Sequence, residues 1–421
     1  MTNMRFDKIK YLKRGSIMTP LHPFKCLNLA KKIMSGNTDY YNLQIHLSEE
    51  QKLIQMATRD WVNKFVKPII EDHFQKEETP HNLIEELSNI GAFGMILPEE
   101  YGGIGADFIS FGLMMQELER GDSSIRVISS IQTSLVMYAI YKFGSEEQRK
   151  KYLPKLATGE ILGAFGLSEP SFGSNPSGMH TYFKEQGDEL VINGSKMWIG
   201  NATAADISIV WAKGPSGEVQ GLIIETDNIT NFTTTVIKEK WSFRASKTGE
   251  LVFSDSVISK AQLLQKSTSI KDAYECLNIG RYAVAWGSLG IAMECYETAL
   301  QYSIERLQFG KPIASKQLIQ KKLTRMITEI TKSQCLTYQL GILMNKGEAS
   351  FQQISMAKRS NVKMAQDVAR EARQVLGGMG ITSDYPIMRH MINIETLITY
   401  QGTNEIHELI TGRDITGIDA L

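Results

Sequence analysis

From Leu47 onward apolar side chains recur at the three-to-four-residue spacing of amphipathic helices. Ser48-Glu49-Glu50-Gln51 has the form of a capping box ahead of Leu53, Ile54, Met56, Ala57, Trp61 and Phe65, so a helix starts there. Further helices are predicted at about 81–90, ending at Gly91, at 108–120, at 127–143 and at 145–153, the last closed by Pro154. After Gly159 the period changes to two. Residues 189–199 read as a hairpin with Asn193-Gly194 at its turn, and 206–211, 221–225, 233–237 and 250–253 as further strands. From about Ser269 the pattern is helical again, with long helices at 316–346 and 354–376. The order helix, strand, helix predicts an α+β chain: an N-terminal helical domain (41–160), a middle β-barrel or sandwich (161–268) and a C-terminal four-helix bundle (269–421). No internal repeat is evident.

Composition narrows the function classes. The 421 residues carry 46 Lys plus Arg against 46 Asp plus Glu, so no charge excess points to nucleic acid or to an anionic membrane surface. No apolar run reaches the roughly 18 residues of a membrane span. Cys26, Cys276, Cys295 and Cys335 lack CxxC spacing and the seven histidines lack ligand pairing, so neither a disulfide framework nor a metal site is expected. The chain has no dinucleotide-binding GxGxxG or Walker loop, which disfavours nicotinamide and ATP enzymes. Residues 1–40 form a basic extension expected to be poorly ordered. It reads either as a mitochondrial transit peptide, giving a matrix location, or as sequence upstream of a start at Met34, giving a cytoplasmic one.

The stretch Ile398-Thr399-Tyr400-Gln401-Gly402-Thr403-Asn404-Glu405-Ile406-His407 joins two helical patterns through a short polar turn, with Thr403 or Asn404 as N-cap of the second. A helix start offers free N–H groups and a dipole to an anion. On pattern alone this is a helix–turn–helix connection. Gly280, Ala283, Ala285, Gly287, Gly290 and Ala292 put small residues along one helix and allow close packing or close approach of a ligand. Glu119 and Arg126, seven apart near a helix junction, would ordinarily be a solvated ion pair worth less than about 1 kcal/mol.

Several of these segments together resemble the acyl-CoA dehydrogenase family over about residues 40–421. The turn is similar to that family's catalytic turn, and Thr411-Gly412-Arg413-Asp414-Ile415-Thr416-Gly417-Ile418 to its glutaryl-CoA dehydrogenase branch. The resemblance implies FAD and an acyl thioester of coenzyme A or a carrier protein. It further implies a homotetramer, at least a dimer, and an electron-transfer flavoprotein as partner. The family's glutamate base, which removes the α-proton, is Gln401 here, and an amide cannot do that work at neutral pH. Tyr400 and Gly402 flank it, and Glu405 resembles an acidic position that accompanies the base rather than replacing it.

Arg126, oriented by Glu119, resembles the reader of a distal carboxylate, with Val127 where the branch has serine; Arg281 resembles the arginine of the acyl site. Position 280, where some relatives keep an alternative base, is glycine. Phe165, Leu167, Ser168, Gly173 and Ser174 resemble the flavin loop, and Trp198 and Ile199 the strand over the flavin edge; Gly200 stands where a threonine is usual. Arg306 and Phe309 resemble a segment reaching the FAD of a neighbouring subunit. Gln374, Gly377 and Gly378 resemble the turn on its ADP part, and Thr403 and Asn404 complete the expected cofactor contacts. The expected function is an acyl thioester dehydrogenase of glutaryl type with impaired proton abstraction. The alternatives are a redox-neutral decarboxylase or desulfinase-like lyase, and a catalytically silent thioester-binding subunit.

Overall fold

A computed structural model describes residues 38–420, so most of the basic N-terminal extension lies outside the described residues. Helix α1 (Glu49–Trp61) begins at the expected capping box, Ser48 Oγ accepting from Gln51 N at 3.2 Å. Helices α2 (Ile70–Lys76) and α3 (Asn82–Asn89) follow, and α4 (Phe108–Gly121) then runs through the core. Asp122 both ends α4 and caps α5 (Ser123–Ser130), accepting from Ser124 N at 2.7 Å. The chain continues as a wider π-helical stretch, Ile131–Met137, into α6 (Tyr138–Phe143). Helix α7 (Glu146–Ala157) does not stop at Pro154 as expected. The proline deprives only the carbonyl of exposed Lys150 of its N–H, and Leu153 and Leu156 hold the last turn in the core.

The β region is one seven-stranded sheet in the order β1-β4-β2-β3-β7-β6, with β5 pairing β4 off this path. Its strands are β1 (Gly163–Gly166), β2 (Tyr182–Gln186), β3 (Glu189–Gly200), β4 (Ile207–Lys213), β5 (Val219–Glu225), β6 (Phe232–Val236) and β7 (Thr248–Ser259). The expected hairpin at Asn193-Gly194 is absent. Those residues form an irregularity inside the single long strand β3, where the register against β7 shifts between Ile192 and Gly194. Asn–Gly marks a backbone with positive φ, which a bulge needs as much as a turn does: Gly194 has φ +135°. Asn193 Nδ2 donates to Asp255 Oδ1 on β7 at 2.9 Å, locking the irregularity.

The C-terminal bundle comprises α8 (Ile270–Glu305), α9 (Gln317–Lys346), α10 (Phe351–Leu376) and α11 (Ile387–Thr399), with α12 (Asn404–Thr416) beyond it. Helix α8, 36 residues long, packs against both α4 and α10 and is buried on all sides through its middle. Between α8 and α9 a short hairpin, β8 (Leu307–Gln308) and β9 (Lys311–Pro312), stands out from the surface. Among the described residues no helix is long and apolar enough to cross a membrane, and no group of three or more His, Cys, Asp and Glu could hold a metal.

Candidate active site

The turn at Gln401 is held by its backbone. Helix α11 ends at Tyr400, Gln401 has φ +52° and Gly402 φ +97°, and Thr403 caps α12 by accepting from Ile406 N at 3.3 Å. Two cations bind its consecutive carbonyls. Arg281 Nε on α8 donates to Gln401 O at 2.9 Å, and Lys358 Nζ on α10 to Gly402 O at 2.9 Å. The Gln401 side chain lies over Gly280, where a Cβ would come within 2.7 Å of Oε1 and 2.9 Å of Nε2. Oε1 is buried without a hydrogen-bond partner, as are Asn404 Oδ1 and both ring nitrogens of His407. The His407 ring packs under Gly402, 2.9 Å from where a Cβ would be. Burial first, then Lys358 and Arg281, push its pKa down to about 3, so it is neutral. Burial also lowers Lys358 to about 7, with Arg281 adding to the effect, and Arg281 to about 10.

Beside the turn stands the pair Glu119–Arg126, with both side chains 0% exposed, so the expectation of a solvated ion pair fails. Each guanidinium nitrogen makes a bond: Nε donates to Glu119, Nη1 to Ser130 Oγ at 3.0 Å and Nη2 to Tyr400 Oη at 2.6 Å. Burial opposes its charge, but Glu119 and Tyr400 more than offset this and hold Arg126 above its ordinary value. Gly287 on α8 faces Glu119 and Arg126, so the small residues of α8 do permit close approach. Asp122 fixes the frame, accepting from Arg389 on α11 and from Asn393 Nδ2 at 3.0 Å. Asn393 Oδ1 accepts from Phe243 N at 2.9 Å, and the Phe243 ring meets Tyr400 edge-on at 5.7 Å.

The β domain supplies a second cluster. Ser168 O accepts from Met197 N at 2.9 Å, and buried Lys196 Nζ donates to Leu167 O at 3.0 Å and to Glu169 at 2.9 Å. Phe165, Leu167 and Ile199 are buried. Trp198 sits at a second irregularity with φ +65° and is 60% exposed, its indole standing off the strand. Gly200 lies against Ile131, one residue beyond Ser130, so the two clusters adjoin. Gly173, Gly377 and Gly378 open onto free space, and Ser174 and Gln374 are exposed. Arg306 is exposed and Phe309, on the projecting hairpin, is 92% exposed, so neither joins the clusters within one chain.

Glu169 clamps the loop. Burial would raise its pKa, but bonds from Thr181 and His180 and the Lys196 ammonium outweigh this and hold it at about 2. A carboxyl depressed on folding contributes stability that is full above about pH 4.5 and is lost as pH falls toward about 2, on the order of 3 kcal/mol. In denaturant titrations across that range, the stability gap between wild type and Glu169→Gln is expected to close as pH falls. A gap independent of pH would contradict the assignment.

Sequence reasoning missed Lys358, His407 and Ser130. The signal for Lys358 was available: it falls within the apolar stripe of α10, among Ile354, Ala357, Val362 and Ala365, where an unpaired lysine is out of place.

Comparison with known proteins agrees with this architecture. Family models described as acyl-CoA dehydrogenase N-terminal, middle and C-terminal domains match residues 48–160, 164–256 and 270–416. The chain belongs to the acyl-CoA dehydrogenase family. It is 36% identical over 379 residues to an acyl-CoA dehydrogenase of Bacillus subtilis (strain 168), covering 89% of this chain and 100% of that protein. A crystal structure of glutaryl-CoA dehydrogenase from Mycobacterium smegmatis matches at 41% identity and a TM-score of 0.89, covering 91% of this chain and 99% of that one. A glutaryl-CoA dehydrogenase from the same organism, in complex with FADH2, matches at 38% identity and 0.89, covering 90% and 98%.

Proposed function

We propose that the protein is an FAD-dependent flavoprotein acting on a short acyl thioester with a distal carboxylate, with α-proton abstraction impaired at Gln401. The residues present fit the cofactor. Open glycine surfaces at Gly173, Gly377 and Gly378, the outstanding Trp198 indole and the unpartnered Asn404 Oδ1 leave room and polar atoms for it. In this reading Leu167 and Ser168 meet the flavin through the loop that Lys196 and Glu169 fix, with Phe165 and Ile199 packed behind it. Thr403 and Asn404 add contacts at the head of α12. Bound FAD would supply the hydride acceptor. Arg126 reads the distal carboxylate, exchanging Tyr400 for it, while Glu119 and Ser130 keep the guanidinium in place. Arg281 fixes the turn that would present a base to the α-carbon.

The carrying observation is Gln401. Its side chain occupies the place of the base, against Gly280, yet an amide has no useful proton affinity at neutral pH. That also favours a second reading, redox-neutral cleavage, in which a carboxylate loses carbon dioxide or a sulfinate group loses sulfur dioxide, the bonding pair stays on carbon as a carbanion, and a solvent proton then quenches it. An anaerobic titration with dicarboxylyl thioesters and their sulfinate analogues tests both. Flavin bleaching with an enoyl product supports dehydrogenation, a decarboxylated or desulfinated product without bleaching supports cleavage, and neither result leaves a thioester-binding subunit.

Arg306 and Phe309, with Gln374, Gly377 and Gly378, project from one chain toward a cofactor shared with a second copy. Purified protein is therefore expected to be yellow and oligomeric, and Phe309→Ala to lose FAD on gel filtration at lower dilution than wild type. A colourless monomer would overturn this expectation.

A further inference from the structure

The Gln401 turn holds more positive charge than it needs. Arg281 and Lys358 are 7% and 0% exposed, and each sits within hydrogen-bonding distance of one of two successive peptide carbonyls. Neither forms a carboxylate ion pair among the described residues: the other polar partner of Arg281 is Asn278 Oδ1, at 3.0 Å. Glu405, the acidic group that favours the Lys358 charge, is exposed, and His407 is neutral. The adjoining Arg126 is matched by Glu119 and adds nothing. A carboxylate at position 401 would balance the cations, whereas the amide leaves them uncompensated. The amide itself is unspent: Oε1 has no partner, and a half-turn of the group exchanges Oε1 for the Nε2 donor. Buried cations without counter-charge are costly, and burial accordingly lowers Lys358 to about 7 and Arg281 to about 10; an arriving anion would favour the charged form of both.

We propose that this turn is an anion site for the acyl group itself, taking negative charge on the α-carbon or on a carboxylate attached to it, that is, an enolate or an α-carboxyl group. The inference rests on the thioester-binding reading and adds a second point at which charge on the acyl group is recognised, separate from Arg126. Glutamine here is then a working substitution. It gives up proton removal and gains a site that favours the carbanionic form, which suits a reaction whose bond cleavage creates that form without a base.

The test uses purified holoprotein kept anaerobic with its flavin already reduced, so that Gln401→Glu cannot dehydrogenate a ligand, and three ligands read by equilibrium binding and absorbance. Butyryl-CoA, with an uncharged acyl group, reports the thioester site. Acetoacetyl-CoA reports enolate formation through its ultraviolet absorbance, and malonyl-CoA reports an attached carboxylate. Bound acetoacetyl-CoA is expected to ionise about one pH unit or more below the free ligand, and malonyl-CoA to bind about tenfold or more tightly than butyryl-CoA. Both effects, taken relative to butyryl-CoA, should shrink about tenfold in Gln401→Glu, which restores the counter-charge, and in Lys358→Met, which removes a cation. If the lysine variant fails to fold, the near-isosteric Gln401→Glu carries the comparison. An effect with acetoacetyl-CoA alone assigns the site to the enolate, and an effect with malonyl-CoA alone to the carboxylate; either supports the proposal. Butyryl-CoA binding without either charge effect would overturn this inference alone. If none of the three ligands binds, the thioester reading fails, and this inference with it.

Discussion

Gln401→Glu is expected to create α,β-dehydrogenation of glutaryl-CoA, or to raise it about 10²–10⁴-fold, the usual worth of a positioned general base. The substitution is nearly isosteric. The space it needs exists because position 280 is glycine: a Cβ there would lie only 2.7–3.1 Å from the side-chain amide atoms. Arg281 and Lys358 behind the turn would keep the new carboxylate ionised at neutral pH. Gly200→Thr should do less. A threonine hydroxyl tunes the flavin but takes no proton from carbon, and its Cβ would fall 2.5 Å from Ile131 Cδ1, so that side chain must first move aside. The assay is anaerobic flavin bleaching together with enoyl-thioester mass. If wild type already bleaches with glutaryl-CoA as fast as the variant, another base is at work and the reading of the turn is wrong.

Arg126→Ala is expected to cost stability as well as specificity. Both partners of the Glu119–Arg126 pair are fully buried, so truncating the arginine strands a carboxylate in the core, at about 3–5 kcal/mol. It also removes the donors to Ser130 and Tyr400. The double change Arg126→Met with Glu119→Gln removes both charges and should recover most of that loss in denaturant titrations. In that double variant, binding of glutaryl-CoA should fall far more than binding of butyryl-CoA, since an anion-reading guanidinium is worth on the order of 2–5 kcal/mol to a matched carboxylate. Equal weakening of both ligands would assign Arg126 a purely structural role. A double variant as unstable as the single one would show that charge burial is not the cause.

The parts of the fold and site that were readable share one property: their information is local. The capping box at Ser48, the period change after Gly159 and the turn motif at Tyr400–Thr403 each lie within a few consecutive residues. What escaped depends on a distant partner. Asn193-Gly194 needs positive φ in a turn or in a bulge, and only the long partner strand β7 decides between them. Pro154 can sit inside α7 because the core holds Leu153 and Leu156 on either side of it, and the carbonyl it leaves unpaired belongs to exposed Lys150. The burial of Glu119 and Arg126 follows from α8 crossing over them at Gly287, more than 150 positions away. Lys358 lies in no motif and His407 only at the edge of one, and the turn they support is reached only when α10 and α12 pack together.

The Gln401 side chain makes no hydrogen bond through Oε1, and the turn that presents it is fixed by backbone carbonyls, two cations and a threonine cap. The backbone frame therefore takes the same shape with acid or amide at this position, and the exchange is felt only as charge beside Arg281 and Lys358 and as turnover. Selection on the shape of the turn would pass over the exchange, while selection on charge and chemistry would hold one residue or the other. A single step takes a lineage from carboxylate to amide, and the same step takes it back. The position by itself thus records what the cell has recently asked of the protein.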